Sequence, residues 1–306
     1  MNNPLVSVIM PAFNCAEFVG QAINSILAQE YKQVEIIVVD DGSTDETPGI
    51  ALEYGAPVRL LRQERQGPSA ARNAGISASR GKLVAFLDAD DLWKPDKLAY
   101  QVPLFDDPET GMAYCNFDYI DENDGLIRTR LGRWYRGGIF TPMMKYGLAW
   151  TGTVVARKEI FEKTGLFDER MPTAEDWDMW VRISALCKVD YDIHTLASYR
   201  MRSGSLLGGI EFIEWMIYSL NKNFETYGRL AGMSYREYRR LLAHYYYRLG
   251  NGSLPASISR RHRAYLWRAI RTYPFHFKAL RAYFWGLCAY WRGRKSEAIG
   301  LDYLNR

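Results

Sequence analysis

Three carboxylates follow a short apolar segment of the sequence. Residues 84–87 are apolar, and Asp88, Asp90 and Asp91 come within the next four positions. A parallel strand that is covered on both faces is almost continuously hydrophobic, so the apolar segment predicts a buried strand. The carboxylates then lie at the C-terminal end of that strand, where open α/β sheets bind their ligands. We therefore expect a polar ligand at this position.

Asp88 and Asp90 are two residues apart, so on an extended backbone their side chains would point to the same side. Two carboxylates on one side repel each other unless a positive charge lies between them. A divalent cation with oxygen ligands provides that charge, and a cation that also holds a diphosphate needs only one or two protein carboxylates. The alternative is a solvated acidic turn in which an aspartate caps the next helix.

Strands and helices alternate over the first 90 residues, and these elements must position the carboxylates. Segments rich in apolar residues at 5–10, 34–39, 58–61 and 84–87 predict strands, with helices between them. This alternation is typical of βαβ units and a parallel sheet. No Gly-x-Gly-x-x-Gly motif follows the first strand, and no Gly-x-x-x-x-Gly-Lys-Ser/Thr loop occurs. These absences argue against the dinucleotide-binding and P-loop classes.

Two polar residues have the positions of helix caps. Asn14 is followed three residues later by Glu17, and this pair is typical of a helix N-terminus. Asp91 precedes Lys94 and Pro95, and proline favours the first turn of a helix. We predict that Asn14 caps the first helix and that Asp91 caps the helix after the acidic segment.

The charge of the chain is unevenly distributed. The 306 residues have a net charge of +4, while residues 229–306 contain 16 Lys and Arg against 3 Asp and Glu. That segment therefore has a net charge of +13, and the remainder has −9. Such asymmetry suggests two modules with different partners. We predict a catalytic domain over residues 1–208 and a smaller, basic and aromatic-rich helical region over residues 209–306.

The cysteines and the apolar segments indicate the compartment. The four cysteines lie far apart without a Cys-x-x-Cys pair, so neither a zinc site nor a disulfide framework is predicted. The N-terminus lacks the basic and long apolar regions of a signal peptide. No stretch approaches the roughly 18 apolar residues that a membrane span needs. We expect a cytoplasmic protein that does not cross the membrane by itself.

Five motifs occur in an order and spacing that closely resemble family 2 glycosyltransferases of the GT-A fold. They are Val-Ser-Val-Ile-Met-Pro-Ala-Phe-Asn at 6–14, Val-Val-Asp-Asp-Gly-Ser-Thr-Asp at 38–45, Ala-Arg-Asn-Ala-Gly at 71–75, Phe-Leu-Asp-Ala-Asp-Asp at 86–91 and Ala-Glu-Asp-Trp-Asp at 174–178. The resemblance fades after about residue 205. It implies an α/β fold with a GT-A-like, mostly parallel sheet flanked by helices, followed by the smaller helical region.

The resemblance implies a donor site for a nucleotide sugar, most often UDP-linked. Asp41 would bind the base, because a carboxylate beside a tight turn can accept the imide N–H of uracil. The backbone around Pro11 and Ala12 would line the same pocket. Arg72 would neutralise the diphosphate, for which guanidinium groups are well suited. The alternatives are a turn-forming Asp41 and a solvated Arg72.

The resemblance also implies a metal site and a general base. Asp88 would contact the ribose or the metal, and Asp90 would bind Mn²⁺ or Mg²⁺ directly, offsetting charge on the departing nucleoside diphosphate. Asp176 would take the proton from the acceptor hydroxyl in a single displacement with inversion. An aspartate at a helix start is otherwise a cap. Arg202 lies where family members often have histidine, and an arginine could bind phosphate but not metal.

The acceptor side is assigned to Trp150, Glu175 and Trp177. Trp150 begins the segment Trp-Thr-Gly-Thr at 150–153, which resembles an acceptor-side segment of such enzymes. Trp177 would either stack on a sugar or anchor its helix in the core, and we favour the anchor.

The basic region interleaves arginines with aromatic residues. Residues 260–273 and 277–291 predict a pair of helices broken at Pro274. This composition fits an anionic membrane surface. It also fits nucleic acid or a packed helical cap with a solvated basic face.

We therefore predict a cytoplasmic, inverting, metal-dependent glycosyltransferase that is peripheral at the inner face of the membrane. It would extend a cell-surface polysaccharide on a saccharide or lipid-linked acceptor. One alternative is a nucleotide-sugar-binding module without catalysis, against which the presence of Asp88, Asp90 and Asp176 argues. Another is a nucleic-acid-binding protein that acts through the basic tail, although we expect no nucleic acid partner. A retaining transferase on a similar fold is a third.

Overall fold

The computed structural model describes residues 3–131, 135–202, 210–251 and 260–284. The chain divides into two compact units, Met1–Leu206 and Leu207–Arg306. The predicted domain boundary between residues 208 and 209 falls in the segment 203–209, outside the described residues.

The first unit is built on one sheet of nine strands within the described residues. In chain order the strands are β1 (Val6–Ala12), β2 (Val34–Asp40), β3 (Val58–Arg62), β4 (Leu83–Phe86), β5 (Leu92–Trp93), β6 (Thr110–Ile120), β7 (Leu126–Arg130), β8 (Val155–Arg157) and β9 (Lys188–Arg200). Across the sheet the order is β3-β2-β1-β4-β8-β6-β9-β5, and β7 pairs with β6.

The direction of the strands changes beyond β4. The four strands from β3 to β4 are parallel to one another. β8 is antiparallel to both β4 and β6, whereas β9 is parallel to β6 and antiparallel to β5. The predicted parallel strands are therefore confirmed for the first 90 residues, and the later strands make the whole sheet mixed.

Helices and short 3-10 turns connect and cover these strands. In chain order the helices are α1 (Val19–Leu27), α2 (Thr47–Glu53), α3 (Pro68–Ala78), α4 (Lys97–Gln101), α5 (Phe140–Tyr146), α6 (Ile160–Thr164) and α7 (Glu175–Leu186). The 3-10 turns are Val102–Asp106 and Thr151–Thr153. The resulting α/β architecture with flanking helices agrees with the predicted fold class.

Both faces of the parallel strands are covered, which explains their continuous apolar sequence. On one face the side chains of Val6, Val8 and Met10 join a core that contains the apolar stripe of α1. On the other face α3 packs so closely that a Cβ added at Gly75 would lie 2.4 Å from Cγ2 of Ile9. Each fully buried aliphatic side chain of this core contributes about 1.5–3 kcal/mol.

The predicted cap of the first helix is wrong. α1 begins at Val19, and the residue before it makes no side-chain cap hydrogen bond. Asn14 instead has a φ of +48°, and its Oδ1 accepts the backbone N–H of Thr44 at 2.9 Å. Asn14 therefore ties the end of β1 to the loop after β2, because its short amide suits a left-handed turn.

The described part of the second unit is helical. It contains α8 (Ile210–Tyr227), α9 (Tyr235–Asn251) and α10 (Arg260–Thr272), and residues 277–284 are also helical. A reciprocal capping box starts α9: the Ser234 N–H donates to Glu237 at 3.0 Å, and the Glu237 N–H donates to the Ser234 hydroxyl at 3.2 Å. The rest of the helix predicted at 277–291 lies outside the described residues.

No helix among the described residues has the length and apolar character that crossing a membrane requires.

Candidate active site

The C-terminal ends of β1, β2 and β4 meet at one edge of the sheet. Ala12 is in register with Asp40, and Ile9 is in register with Phe86. The N–H of Asp41 donates to the carbonyl of Ala12 at 2.8 Å. The sheet therefore brings the predicted base-binding segment and the acidic segment to the same edge.

Asp41 organises the loop that leads into α3. Its buried carboxylate accepts hydrogen bonds from the Gln63 side chain at 2.7 Å and from the N–H groups of Gln66 and Gly67, each at 2.8 Å. Gly67 can serve there because its φ of +96° suits glycine. A carboxylate has about four acceptor sites, so one remains for a ligand. Asp41 thus fixes the loop at the end of β2, where base binding was predicted.

The acidic segment forms a turn and not an extended strand. The N–H of Asp91 donates to the carbonyl of Asp88 at 3.0 Å, which closes the turn. The inference that Asp88 and Asp90 align on an extended backbone is therefore wrong. Their side chains are 26% and 21% exposed, and burial together with the charge of Asp88 raises the pKa of Asp90 above its ordinary value.

Asp91 does not cap a helix as predicted. It is buried, and its Oδ1 accepts the backbone N–H of Arg200 at 2.7 Å. Helix α4 begins only at Lys97. Burial and the charges of Asp90 and Asp88 raise the pKa of Asp91 well above its usual range. The third carboxylate of the motif therefore fastens the turn to β9.

Arg200 supports the acidic turn, and sequence reasoning missed it. This buried guanidinium donates from Nε to the carbonyl of Asp90 at 2.7 Å and from Nη1 to Asp124 at 2.6 Å. Arg200 lies in the Tyr-Arg-x-Arg segment at 199–202, which could have indicated a role for it, but the sequence prediction concerned only Arg202. Arg202 itself pairs through Nη2 with Oδ2 of Asp90 at 2.8 Å.

Arg72 joins the two halves of the site. Its guanidinium donates to Asp88 at 2.8 Å and to Glu175 at 2.7 Å. Asp88 lies in the acidic turn, and Glu175 is the first residue of α7. This buried ion pair therefore connects the predicted donor residues to the helix that carries the predicted base. The solvated-surface alternative for Arg72 is wrong, because the residue is buried.

Asp176 lies in the first turn of α7 and is half-buried. Its Oδ2 accepts the hydroxyl of Thr151 at 3.0 Å, and its Oδ1 accepts the N–H of Trp177 at 2.6 Å. Burial, and next the negative charge of Glu175, raise the pKa of Asp176 to about 6. Ala174 enters the helix with a φ of +59°, a strained value for a residue with a Cβ.

The 3-10 turn that presents Thr151 is itself anchored. The Trp93 indole donates to the carbonyl of Gly152 at 2.8 Å, and the Gln101 amide donates to the carbonyl of Thr153 at 3.0 Å. Sequence reasoning placed this segment on the acceptor side but missed the role of Thr151. Hydrogen bonding between residues 25 positions apart leaves no sequence signal.

The residues predicted for the acceptor side fall into three different environments. Half-buried Trp150 packs against the rings of Phe117 and Tyr199, with centroids 5.0 Å away in each case. Glu175 is buried against Arg72. Trp177 is 5% exposed, and its indole donates to the carbonyl of Met143 at 3.2 Å. This geometry favours the interpretation of Trp177 as an anchor.

The acidic turn fits a hard divalent cation in the type of its donors. Asp88 and Asp90 offer carboxylate oxygens that solvent reaches. Within residues 3–131, 135–202, 210–251 and 260–284, no cluster of three His, Cys, Asp or Glu side chains is arranged to hold a metal. A cation here would therefore take most of its ligands from water and from a bound diphosphate, as Mg²⁺ commonly does.

Comparison with known proteins decides the family. The profile of glycosyl transferase family 2 matches residues 7–165, which is just over half of the 306-residue chain. The chain belongs to this family. The predicted family membership is thus confirmed, and the matched segment of the chain ends before Asp176.

Curated relatives of the chain come from bacteria, and two of the three described here are named as transferases. The uncharacterized glycosyltransferase RP339 of Rickettsia prowazekii is 34% identical over 66% of this chain and 65% of that relative, so the chain spans just under two thirds of its length. The Escherichia coli UDP-Glc:alpha-D-GlcNAc-diphosphoundecaprenol beta-1,3-glucosyltransferase WfaP is 30% identical over 58% of this chain and 70% of WfaP. The succinoglycan biosynthesis protein ExoO of Rhizobium meliloti is 42% identical over 41% of this chain and 36% of ExoO. The chain therefore has relatives in polysaccharide biosynthesis.

Solved structures confirm the fold. S. aureus TarS 1–349 in complex with UDP superposes with a TM-score of 0.67 at 17% identity, over 94% of this chain and 92% of that chain. The mannosyltransferase PcManGT from Pyrobaculum calidifontis, in complex with GDP-Man and Mn²⁺, superposes with a TM-score of 0.59 at 18% identity, over 93% of this chain and 88% of that chain. The chain shares its fold with these proteins.

Proposed function

We propose that this transferase moves a hexose from a UDP-linked donor to a hydroxyl of a lipid-linked saccharide, with inversion at the anomeric carbon. One observation carries the proposal: Arg72 pairs with Asp88 at 2.8 Å and with Glu175 at 2.7 Å. Asp176 follows Glu175 directly in α7. A ligand at the acidic turn and a hydroxyl at Asp176 would therefore meet in one site.

The donor half of the proposed site lies at the ends of β1 and β2. The base would lie against Pro11 and Ala12 and donate its imide N–H to the remaining acceptor site of Asp41. Three hydrogen bonds hold this carboxylate in place before any ligand arrives. Preorganisation of this kind improves affinity, because no ordering of the side chain is left to be done on binding.

Asp88 and Asp90 would hold Mn²⁺ or Mg²⁺ together with the diphosphate. Bound there, the cation would supply positive charge to the departing nucleoside diphosphate. A carboxylate motif of this type agrees with the presence of Mn²⁺ in the PcManGT complex. Arg72 would add to the positive charge from its buried position beside Asp88.

Asp176 would act as the general base. The acceptor oxygen attacks the anomeric carbon, the bond from that carbon to the diphosphate breaks, and the hydroxyl proton passes to the Asp176 carboxylate. A base works best when its pKa lies near the working pH, and the pKa of Asp176 is raised to about 6. The hydrogen bonds from Thr151 and from the Trp177 N–H orient the carboxylate for this transfer.

The name of one relative supports a class of acceptor. The name of WfaP describes transfer from UDP-Glc to a diphosphoundecaprenol-linked sugar, and a TarS structure contains UDP-GlcNAc. We infer an undecaprenol-type or similar lipid-linked saccharide as the acceptor here. The inner face of the membrane would be the place of reaction, because nucleotide sugars are present on that side.

The second unit offers a surface suited to an anionic membrane. Residues 260–284 contain no Asp or Glu. Trp267, Arg268 and Arg271 are exposed on α10, and Phe277 beyond it is 74% exposed. Aromatic rings fit the headgroup layer and arginines fit anionic lipids. We propose that this basic aromatic face holds the transferase near its acceptor.

Turnover by the purified chain tests the proposed reaction. UDP-Glc, UDP-GlcNAc and GDP-Man are offered with a synthetic lipid-linked saccharide and Mn²⁺, and the product linkage is read by NMR. We expect transfer from a UDP-linked sugar with an inverted anomeric centre. Asp176→Asn should reduce kcat by about 10²–10⁴ and leave donor affinity unchanged.

A matched control separates chemistry from folding. Asp96 is also half-buried beside a helix start and makes no side-chain cap hydrogen bond at α4, so Asp96→Asn should keep parental turnover. A product with retained configuration would contradict the inverting mechanism. Near-parental turnover of Asp176→Asn would show that Asp176 has a structural role and is not the base. Donor binding without turnover in the parent would support a binding module.

A further inference from the structure

Lys97 is a buried charge to which the proposed reaction gives no role. It is the first residue of α4, and its side chain is fully buried. Its Nζ donates to Oε1 of Gln101 at 2.5 Å and lies 4.2 Å from the centre of the Trp93 ring. Burial lowers the pKa of Lys97 to about 8, and the acids that face it from the packed strands, Cys115 of β6 and Asp192 of β9, oppose that shift only in part. Lys97 is therefore still an ammonium at pH 7.

Packing alone does not explain a charge at this position. An ammonium loses its hydration when it is buried, and replacing buried charges by apolar side chains of similar volume is often neutral or stabilising. A methionine has a similar length and could pack on the Trp93 ring without that cost. The reason for the charge therefore lies in what the two contacts of Lys97 do.

Both contacts of Lys97 lead to the 3-10 turn of the candidate active site. An ammonium can only donate, so Gln101 must present its amide oxygen to Lys97. The amide nitrogen of Gln101 is then left to donate to the carbonyl of Thr153 at 3.0 Å. Trp93, whose ring lies against the ammonium, donates from its indole to the carbonyl of Gly152 at 2.8 Å. Lys97 thus orients two side chains that hold successive carbonyls of the turn.

The 3-10 turn depends on such support from outside. A 3-10 turn is short, and its own hydrogen bonds have poor geometry. Its first residue, Thr151, donates to Oδ2 of Asp176 at 3.0 Å, and a hydrogen bond weakens steeply as its angle departs from linear. Movement of the turn would therefore loosen the hydrogen bond that orients the carboxylate of Asp176.

We propose that Lys97 is a positioning residue for Asp176. Its ammonium fixes the Gln101 amide and the Trp93 ring, and these hold the 3-10 turn in the place where Thr151 donates to the carboxylate. This inference deepens the proposed function and rests on it, because Lys97 affects catalysis only if Asp176 is the base. The hydrogen-bond path itself does not depend on the reaction.

The pKa of Asp176 tests the path without sugar transfer. It is followed by NMR of ¹³C-labelled aspartate carboxyl groups, and the signal that disappears in Asp176→Asn identifies the residue. Lys97→Met keeps the length of the side chain without the ammonium. It should raise the pKa of Asp176 by about 0.5–1 unit, because a weakened hydrogen bond stabilises the charged carboxylate less.

Sugar transfer provides a second measurement of the same variant. The pKa of Asp176 is about 6 in the parent, so a rise of this size should lower kcat about two- to five-fold at pH 6. The deficit should shrink as the pH rises towards 8, and KM for the donor should stay unchanged. A side chain that only stabilises the fold would not move the midpoint of the pH profile.

Two further variants place the effect on the proposed path. Gln101→Leu breaks the link to the turn while Lys97 stays in place, and it should raise the pKa of Asp176 as Lys97→Met does. If Lys97→Met does not fold, Gln101→Leu decides by the same measurement. Lys97→Met in a Thr151→Val background should add no further rise, because mutations on one path are not additive.

Lys158 provides a matched control. It is half-buried directly after β8, and its ammonium donates to the carbonyl of Ser79 at 2.5 Å. Lys158→Met also removes an ammonium that donates to an uncharged oxygen, but it leaves the supports of the 3-10 turn in place. It should leave the pKa of Asp176 unchanged.

Two results would overturn the proposal. One is a pKa of Asp176 in folded Lys97→Met or Gln101→Leu that equals that of the parent. The other is a rise that Lys97→Met still causes in the Thr151→Val background, because the effect would then bypass the turn. A protein whose Asp176 responds as expected and that transfers no sugar would refute the proposed reaction alone.

Discussion

Replacing Thr151 by Val should move the acid limb of the pH–activity profile to higher pH. The Thr151 hydroxyl donates to Oδ2 of Asp176 at 3.0 Å, and valine has nearly the same shape without the donor. A hydrogen bond to a carboxylate favours its charged form. Removing that bond therefore raises the pKa of Asp176, which is already raised to about 6.

The size of the shift follows from the strength of the bond. A hydrogen bond to a charged group contributes about 1.5–3 kcal/mol, and 1.36 kcal/mol corresponds to one pKa unit. The pKa of Asp176 should thus rise by about one to two units. The base must be unprotonated, so activity is present above its pKa and is lost as the pH falls through it. At pH 7 the variant should be about two- to ten-fold slower than the parent, and the deficit should shrink at higher pH.

The assay is kcat and KM for the donor across pH 5–9. Thr151→Ser restores the hydroxyl and should restore the parental profile. Thr153→Val removes a hydroxyl from the same 3-10 turn, where it donates to the carbonyl of Trp150 at 2.6 Å, and it should leave the midpoint of the profile in place. A Thr151→Val profile that superimposes on the parental one would refute the role of this hydrogen bond.

Three further predictions address packing, charge and surface. Gly75→Ala should lower the free energy of unfolding by about 1–3 kcal/mol, because the new Cβ would lie 2.4 Å from Ile9. The control Gly138→Ala adds a Cβ that meets no atom within 4 Å, so it should leave the free energy of unfolding unchanged. Urea unfolding of both variants measures the difference. Asp176→Asn should raise the free energy of unfolding at pH 8 by about 1–2 kcal/mol. The folded chain disfavours the charged carboxylate of Asp176, as its raised pKa shows, and asparagine carries no charge. Thermal melts should show the gain disappear as the pH falls towards 4. Arg268→Gln with Arg271→Gln should weaken binding to anionic vesicles about 30-fold at low salt, at about 1 kcal/mol per charge. The same charge loss at exposed Arg236 and Arg240 of α9 should have a smaller effect. Equal binding of all variants in co-sedimentation, or equal binding to neutral vesicles, would count against the basic aromatic face.

The parallel part of the sheet was predictable because strands that are buried on both faces have nearly continuous apolar sequences. Residues 36–39 and 84–87 are apolar for that reason, and they lie in the buried strands β2 and β4. The later strands lack this signal. β6 and β9 contain polar residues that are buried with partners far along the chain, such as Asn116, whose amide donates to the carbonyl of Ile193. Strand periodicity alone could not identify them.

The site was predictable as a set of residues but not as a geometry. The motifs pointed to Asp88, Asp90 and Asp176, which the fold brings to one region through Arg72. The shape of the acidic turn depends on Asp91 accepting from Arg200, a residue 109 positions later. Local spacing favoured an extended backbone and a helix cap, and a distant hydrogen bond prevailed over both preferences.

The Arg72 ion pairs have a consequence for how such a sequence can diversify. Asp41, Arg72 and the acidic turn lie within the first 91 positions, whereas Thr151 and Asp176 belong to a separate stretch. A chimera could therefore exchange residues 140–173 for those of a relative with another acceptor and keep its donor preference. The exchange must leave Glu175 in place, because Arg72 would otherwise be buried with half of its compensating charge. The Arg72–Glu175 salt bridge is therefore the contact that such a chimera should preserve.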